Sequence, residues 1–591
     1  MPGIAGFTIG KDLGKHPQEC LRKMQELMTY HEYYRKDELF CDRSICATRT
    51  HINVVQTEPQ PHVDEGVYVW LDGEFYNQSE LARQYAVPVE GDPALLSALY
   101  RSEKDFAFLA DIDGIYSAVI YDSHRKQVHL VTDRYGLRHL YWTVLGDSFS
   151  WFSETKALLA LPDSTPKIDP VAVQQFFAIG QLLENRTWFK GVELVPSGTI
   201  LTWDLNGKSL KSHRYWWWDQ IRPISGHVDV NEVADELGRL FKEGMCARCQ
   251  GDTSVGVFLS GGLDSRAVLA AIPEEKQPVV AVTFGREGCD DIKNAVMAAK
   301  VKGARHLIVS VPEGDWLNPR FPGIWRTDGM LSLQHMANAK EEALVREQFL
   351  VNIGGFAGDL ILGGSFLRSR AMLDKCNREH AAHVLHCDPA LLTDFGDYSD
   401  LPKLDFYMLN NRVRRFTYMG PKFALTILHE RLPFHDNKLM EFAYSLPDAL
   451  KFESRIYKRV LLRTFPDYYM TIPWQKTGYP ISWPDPIVKA LKLQRKIRRK
   501  LLGTRTTDKR EATDYAVWSR KEPVSSVFAS FLESPAAYYP EFISRDRVVG
   551  ELARHMEGEN HIEMLCRYLT FEIWLRQVFE GHYRLIEQTT K

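Results

Sequence analysis

The sequence predicts two differently built units in one chain. The first is an α+β half of layered antiparallel sheets; the second is an α/β half on a parallel sheet, ending in a helical part. Three observations carry this. Residues 1 to about 210 read as short alternating strands separated by turn signals. After a break near 219–230, strand and helix alternate, which implies a parallel sheet covered on both faces. From about 400 onward the pattern is mostly helical.

The elements follow in order. Gly3, Ile4, Ala5, Gly6 and Phe7 read as a buried strand, with small residues where backbone approaches closely. GVYVWLDGEFYN at 66–77 is a second strand. In YSAVIYDSHRKQVHLVTDRYG, residues Asp122 to Lys126 turn between two alternating strands. GTILTWDLNGKSL carries an Asn-Gly turn at Asn206 and Gly207. Helices interrupt at Asp92 to Arg101 and Pro170 to Ile179. DQIRPISGHVDV reads as the linker, so domains of 1–215 and 225–591 are expected. SVGVFLS, VVAVTFG and HLIVSV are apolar strands of the second half, and IKNAVMAAKVKG is a helix between two of them.

Composition bounds the function. A chain of 591 residues exceeds one core. Apolar content of 45% with 25% charged residues is that of a globular protein, and a net charge of -3 provides no pull toward nucleic acid or anionic lipid. No apolar run spans a bilayer, and the start lacks the layout of a secretory signal. Nine cysteines without framework spacing imply a reduced, cytoplasmic protein. Cys246 and Cys249 have CxxC spacing but fall in a helical stretch without a second pair, and read as two unrelated helix positions. Residues 487–510, with the basic run 489–510, read as a basic amphipathic helix with a solvated face, the alternative being a surface for an anionic partner.

The strongest chemical signal is VGVFLSGGLDSRAVLAAI. A strand runs into Ser260, Gly261, Gly262, Leu263, Asp264 and Ser265, then into a helix. The glycines let backbone approach a ligand, and the following helix aims free N–H groups and its positive dipole end at the loop. The hydroxyls of Ser260 and Ser265 suit phosphate oxygens. Asp264 would repel phosphate unless Mg²⁺ lies between them. NIGGFAGDLILGG repeats the device: Gly354 and Gly355 end a strand and Asp359 sits in the loop, so Asp264 and Asp359 form a candidate Mg²⁺ pair. The spacing is neither a Walker loop nor a dinucleotide fingerprint.

SGGLDS resembles the pyrophosphate-binding loop of ATP pyrophosphatases, and the whole chain resembles the asparagine synthetase family. The match runs through Pro2-Gly3-Ile4-Ala5-Gly6, DGEFYN at 72–77, TDRYGLRHLYW at 132–142 and SETKALL at 153–159. It continues through SGGLDS, GFAGDLILGG, ERLPFHDNKLMEFAYSLP, KRVLLRTF and WQKTGYPIS. The resemblance implies an Ntn-hydrolase-like glutaminase domain joined to an adenine-nucleotide alpha hydrolase-like synthetase domain. It assigns Ser260, Gly261, Gly262, Asp264 and Ser265 to ATP pyrophosphate, and Val282, Phe284, Gly354 and Gly355 to adenine and ribose. It assigns Asp264 and Asp359 to the metal, and Lys476 to charge stabilisation during acyl transfer. Arg49, Asp72, Gly73, Glu74 and Asp92 match the glutamine pocket, and a homodimer is expected from relatives.

Two departures carry the functional reading. The family's nucleophile is a cysteine at position 2, and proline has no side-chain nucleophile. Asp72 stands where an asparagine amide helps an oxyanion, and a carboxylate there would repel it. A thiol recruited from Cys41 or Cys46 would be the remaining route. Phe356 stands where the family has a glutamate, and it can accept no proton. The expectation is an ATP-dependent ligase that adenylates a carboxylate and passes it to ammonia or an amine, with a degenerate glutaminase. The alternatives are an intramolecular cyclase forming a lactam, lasso-peptide or β-lactam ring, and a non-catalytic nucleotide-binding protein.

Overall fold

The computed structural model describes residues 2–10, 16–88, 90–103, 105–162, 164, 166–226, 228–251, 254–311, 313–314, 316–336, 341–502 and 512–581. The N-terminal half holds two antiparallel sheets. In the first, Gly3–Thr8 lies between Ile45–His51 and Ser148–Phe152, with Tyr141–Leu145 and Val192–Leu194 beyond the latter. The glycines are there for space. A Cβ on Gly6 would sit 2.5 Å from both the Cys46 carbonyl and the Trp151 ring, and one on Gly3 would sit 2.3 Å from Ser153 Cβ.

The second sheet is ordered Ser209–Arg214, Thr199–Asp204, Gln127–Thr132, Gly114–Asp122, Val67–Phe75, His62–Asp64. The turns expected at 122–126 and at Asn206-Gly207 join its hairpins. Ile4, Trp70, Val119, Leu130, Trp151 and Trp203 fill the layer between the two sheets. The expected helices form over Asp92–Ser102 and Pro170–Ile179.

The expectation of reduced thiols is corrected at one place. Cys41 and Cys46 are antiparallel partners with Cα atoms 4.2 Å apart, and they form a disulfide. Cys46 also lies opposite Phe7, five residues along the strand from Pro2 and so roughly 16 Å away. The disulfide and that separation leave neither sulfur as a substitute nucleophile at position 2.

After the linker, a helix over Val230–Arg248 is capped by Asp229, whose carboxylate accepts from the N–H groups of Asn231 and Glu232. Cys246 lies exposed near its end, and Cys249 lies buried at its C-cap. Among the described residues no cluster of three or more His, Cys, Asp or Glu is placed to hold a metal ion. The five-stranded sheet that follows is parallel throughout. Its order is Arg305–Ser310, Val280–Gly285, Val255–Phe258, Val351–Ile353, His429–Arg431. The order reverses between the third and fourth strands, which is where open α/β sheets bind ligands beyond the carboxyl ends. The basic helix runs over Asp485–Leu502, and Ile487, Leu493 and Ile497 are exposed on it. Residues 503–511 lie outside the described residues. No helix among the described residues is long and apolar enough to cross a membrane.

The two halves share cores and charges. The last helix, Ile562–Phe579, packs Trp574 against Trp188 and Phe189 of the N-terminal half, at 5.1 and 5.5 Å between ring centroids. Lys156 Nζ meets buried Asp328 at 2.9 Å. Glu74 receives Arg431 Nε at 2.5 Å and Nη2 at 2.9 Å, and His429 Nε2 at 3.0 Å. Arg138 donates to His429 Nδ1 at 3.1 Å. Arginine can only donate, so His429 carries its proton on Nε2 and gives it to Glu74.

Burial alone would raise Glu74, but His429 and Arg431 outweigh it and hold the carboxyl far below the usual range. A depressed carboxylate contributes stability above its unfolded pKa of about 4.3 and loses it as pH falls. Glu74→Gln should therefore lower stability by about 3–5 kcal/mol at pH 7, the cost of unpairing a buried arginine. In urea denaturation the gap to wild type should narrow as pH drops below about 4.

Candidate functional site

The loop after Val255–Phe258 and the loop after Val351–Ile353 meet at the reversal point of the sheet. They meet closely. A Cβ on Gly355 would lie 2.6 Å from Ser265 N and 2.7 Å from the Asp264 carbonyl carbon, so glycine is required there. Asp359 N donates to Asp264 Oδ2 at 2.9 Å, and Tyr457 OH donates to Asp264 Oδ1 at 2.7 Å. Asp359 lies in the first turn of a short helix, Gly358–Ile361, rather than in the loop expected for it. Burial pushes both carboxyls up, and the Asp359 charge pushes Asp264 further. Lys476 opposes the rise at Asp359. Asp264 is half-buried and Asp359 exposed at the cavity mouth, and two adjacent like charges are a donor set whose repulsion a hard divalent cation would relieve.

Within the loop the groups turn on one another. Ser265 Oγ receives Ser260 N and lies 3.0 Å from Ser260 Oγ, and Gly262 N donates to Ser260 Oγ at 3.2 Å. Gly261 N turns outward to Asp291 Oδ1 at 2.9 Å. The helix Asp264–Ala271 starts at the acid of the loop and aims its N-terminus at the cavity.

Lys476 is held by a tight turn in which Trp474 N reaches Tyr479 O at 2.9 Å and Gly478 N reaches Trp474 O at 2.7 Å. Arg266 joins this turn to the loop. Its guanidinium donates to the carbonyls of Gly261, Tyr468, Ile472 and Pro473. Gln475 N also donates to Gly261 O, and Gln475 Nε2 reaches Asp291 Oδ2 at 2.8 Å.

These elements surround a cavity of about 710 Å³. Of the expected nucleotide-site residues, Ser260, Gly262, Asp264, Ser265, Phe284, Gly354, Gly355, Asp359 and Lys476 line it. Gly261 and Val282 do not. Gly261 spends its N–H and carbonyl on Asp291, Arg266 and Gln475. The Val282 side chain packs into an apolar cluster with Val309, Val345 and Phe349. Phe356 lines the wall and stacks on His435 at 5.2 Å.

Several lining residues were not singled out in the sequence. Phe258 faces Phe284 across 5.8 Å. Glu430 and Asn352 form a polar bridge in the wall, and His335 closes another side. The only signal for Glu430 was its place at the head of ERLPFHD; for Asn352 it was a lone amide in an apolar strand.

The glutamine-pocket positions are not gathered around an open space in the same way. Arg49 is buried and spends its guanidinium on Asp37 at 2.7 Å and on the Glu58 carbonyl at 2.8 Å. Asp72 lies 3.6 Å from Arg138, and Glu74 is held by Arg431 and His429. Asp92 accepts from Phe75 N at 3.0 Å and from the amides of Gln56 and Gln78. Burial pushes Asp92 up to about 7. Gly73 holds φ at +118°, with the Ile115 carbonyl where a Cβ would go.

Two family models match this architecture. Residues 1–216 match the glutamine amidotransferase domain, and residues 236–417 match asparagine synthase. That pairing defines a class of ATP-dependent carbon–nitrogen ligases that form amides. The chain belongs to the asparagine synthetase family. It is 24% identical over 554 residues to asparagine synthetase [glutamine-hydrolyzing] 1 of Bacillus subtilis (strain 168), covering 79% of this chain and 85% of that protein. It is 23% identical over 473 residues to synthetase 3 of the same organism, covering 69% and 75%. It is 27% identical over 269 residues to the Gallus gallus asparagine synthetase, covering 42% and 45%.

Gly355→Ala tests the loop crossing. The added methyl must displace loop backbone at Asp264 and Ser265, at a cost of about 1–3 kcal/mol. Thermal melting of this variant should keep its cooperative transition but lose at least about tenfold in apparent ATP affinity.

Proposed function

We propose that the protein activates a carboxylate as its acyl-adenylate, releases pyrophosphate, and joins the acyl group to ammonia or an amine that was not cut from glutamine in this chain. One contrast supports the reading most. The ATP half keeps a cavity ringed by the SGGLDS loop, the acid pair and Lys476. The front half has proline at position 2, and its would-be glutamine ligands are engaged with internal partners.

A free carboxylate is a poor electrophile near neutral pH, so an adenylate is needed before an amine can attack. Phe258 and Phe284 offer apolar faces for a nucleobase at one end of the cavity. The hydroxyls of Ser260 and Ser265, Gly262 N–H and the start of the Asp264–Ala271 helix offer donors for phosphate oxygens. Asp264 and Asp359 would hold Mg²⁺, which would neutralise phosphate charge beside them. Lys476 brings a cation to the same space, suited to the negative charge that develops as phosphate or acyl carbon is attacked.

The wall around Phe356, Leu432, Pro421 and Ala424 is apolar, which suits an acid or amine larger than aspartate or ammonia.

Purified protein with Mg-ATP should exchange labelled pyrophosphate into ATP only when a suitable carboxylic acid is added. Glutamine should not be hydrolysed. Lys476→Ala should lower amide formation by about 10²–10³, the usual loss when one preorganised charge stabiliser is removed. Glutamate release from glutamine by the wild-type chain would contradict the nitrogen-source part of this reading.

A further inference from the structure

We infer that Glu430 is the general base that takes a proton from the attacking amine; this rests on the ligase reading above. Among the described residues three carboxylates line the cavity: Asp264, Asp359 and Glu430. The first two lie together at the phosphate end, joined by the Asp359 N–H bond to Asp264. Glu430 stands apart, on the His429–Arg431 strand.

Strand alternation explains where it faces. His429 and Arg431 turn to Glu74 of the N-terminal half, and Glu430 between them turns to the cavity. Its carboxylate lies over the backbone of Gly354, where a Cβ would meet Oε2 at 3.1 Å. The next residue, Gly355, packs on Asp264 and Ser265. Glu430 therefore stands on one side of the Gly354-Gly355 turn and the phosphate loop on the other.

Its orientation is determined by an amide. Asn352 Oδ1 accepts from Phe258 N at 3.0 Å, so Nδ2 must face Glu430, which it meets at 2.8 Å. The bridge spans three adjacent strands. Asn352 is the side-chain hydrogen-bond donor that lowers the Glu430 pKa, and the Arg138 guanidinium is the charge that acts with it. Burial overrides both and pushes the carboxyl up to about 8, near the range in which a base must work. The other candidates on the wall are weaker. Burial holds His335 down to about 4, Phe356 accepts no proton, and Tyr418 behind it is pushed up. Lys476 is a cation suited to charge stabilisation.

The step balances without a further reagent. An amine arrives as its ammonium ion, and Glu430 Oε takes one proton, exposing the lone pair. Nitrogen bonds to the acyl carbon, and the carbon–oxygen bond to AMP breaks, with the electron pair leaving on AMP. The second nitrogen proton goes to water, and Glu430 releases its own to water before the next turnover.

The test separates the two half-reactions. The carboxylates are aspartate, glutamate and straight-chain acids of two to eight carbons. The amines are ammonium, n-butylamine and hydroxylamine, the last being unprotonated at neutral pH. Glu430→Gln keeps an acceptor for Asn352 and should keep carboxylate-dependent pyrophosphate exchange within about threefold of wild type. Its transfer to n-butylamine should fall by about 10²–10⁴, while transfer to hydroxylamine should survive. A second measurement needs no variant. In wild type, the slope of log rate against pH for n-butylamine should drop by one near pH 8; without a base it climbs unbroken toward the amine's own pKa, about 10.4 as for lysine. Equal n-butylamine transfer in Glu430→Gln and wild type, or an unbroken pH slope, overturns the base while leaving the ligase standing. Absence of exchange in wild type with every acid overturns the ligase reading and this inference with it.

Discussion

The catalytic half depends on one close crossing of backbone. Gly355 lies against Asp264 and Ser265 with no room for a single extra carbon. This contact brings two strand ends together at the reversal of the sheet, and with them Asp264 and Asp359. It also determines where neighbouring groups can go. Arg266 reaches from the start of the loop helix to the carbonyls of Tyr468, Ile472 and Pro473 and so carries the Lys476 turn to the cavity. Asn352 ties Phe258 to Glu430 across three strands. The cost is a pair of neighbouring acids that repel one another, which a bound cation would offset.

The seam between the halves follows a different logic. Glu74, His429, Arg431, Arg138 and Asp72 form a continuous buried network. Buried ion pairs of this sort stabilise only as a complete set, because each member left alone is expensive. Glu74, on the Val67–Phe75 strand, is engaged with the synthetase half. The N-terminal half is thereby docked on the synthetase half through a buried charge network. Trp188 and Phe189 add to this by receiving Trp574 from the last helix, so the chain end closes a core begun near its start.

Local signals in the sequence were legible where local physics decides. The hairpin turns at 122–126 and 206–207, the helix starting at Pro170, and the strand–loop–helix around SGGLDS follow from neighbouring residues. The paired acids were legible as well, since each follows an apolar strand and a pair of glycines. Glu430 was not, because its role depends on register: a shift of one residue would turn it to the domain seam. The strand end points to Val282 as a site residue, but its side chain, on the same face as Phe284, packs into the apolar cluster of Val309, Val345 and Phe349. Cys41 and Cys46 were assigned as thiols from the count of nine, which cannot reveal a two-strand register that sets them opposite each other. The docking of Trp574 on Trp188 spans most of the chain, and no local pattern announces it.

The proposed chemistry requires a triphosphate over residues 260–265 with a cation between it and the two acids. Calorimetric titration with α,β-methylene ATP, whose α–β bridge cannot be broken to adenylate a carboxylate, tests this most directly when run with and without Mg²⁺ on wild type and Asp264→Asn. The account predicts one site per chain whose affinity requires Mg²⁺ and collapses in the variant. Binding that is indifferent to both the cation and Asp264 would contradict it.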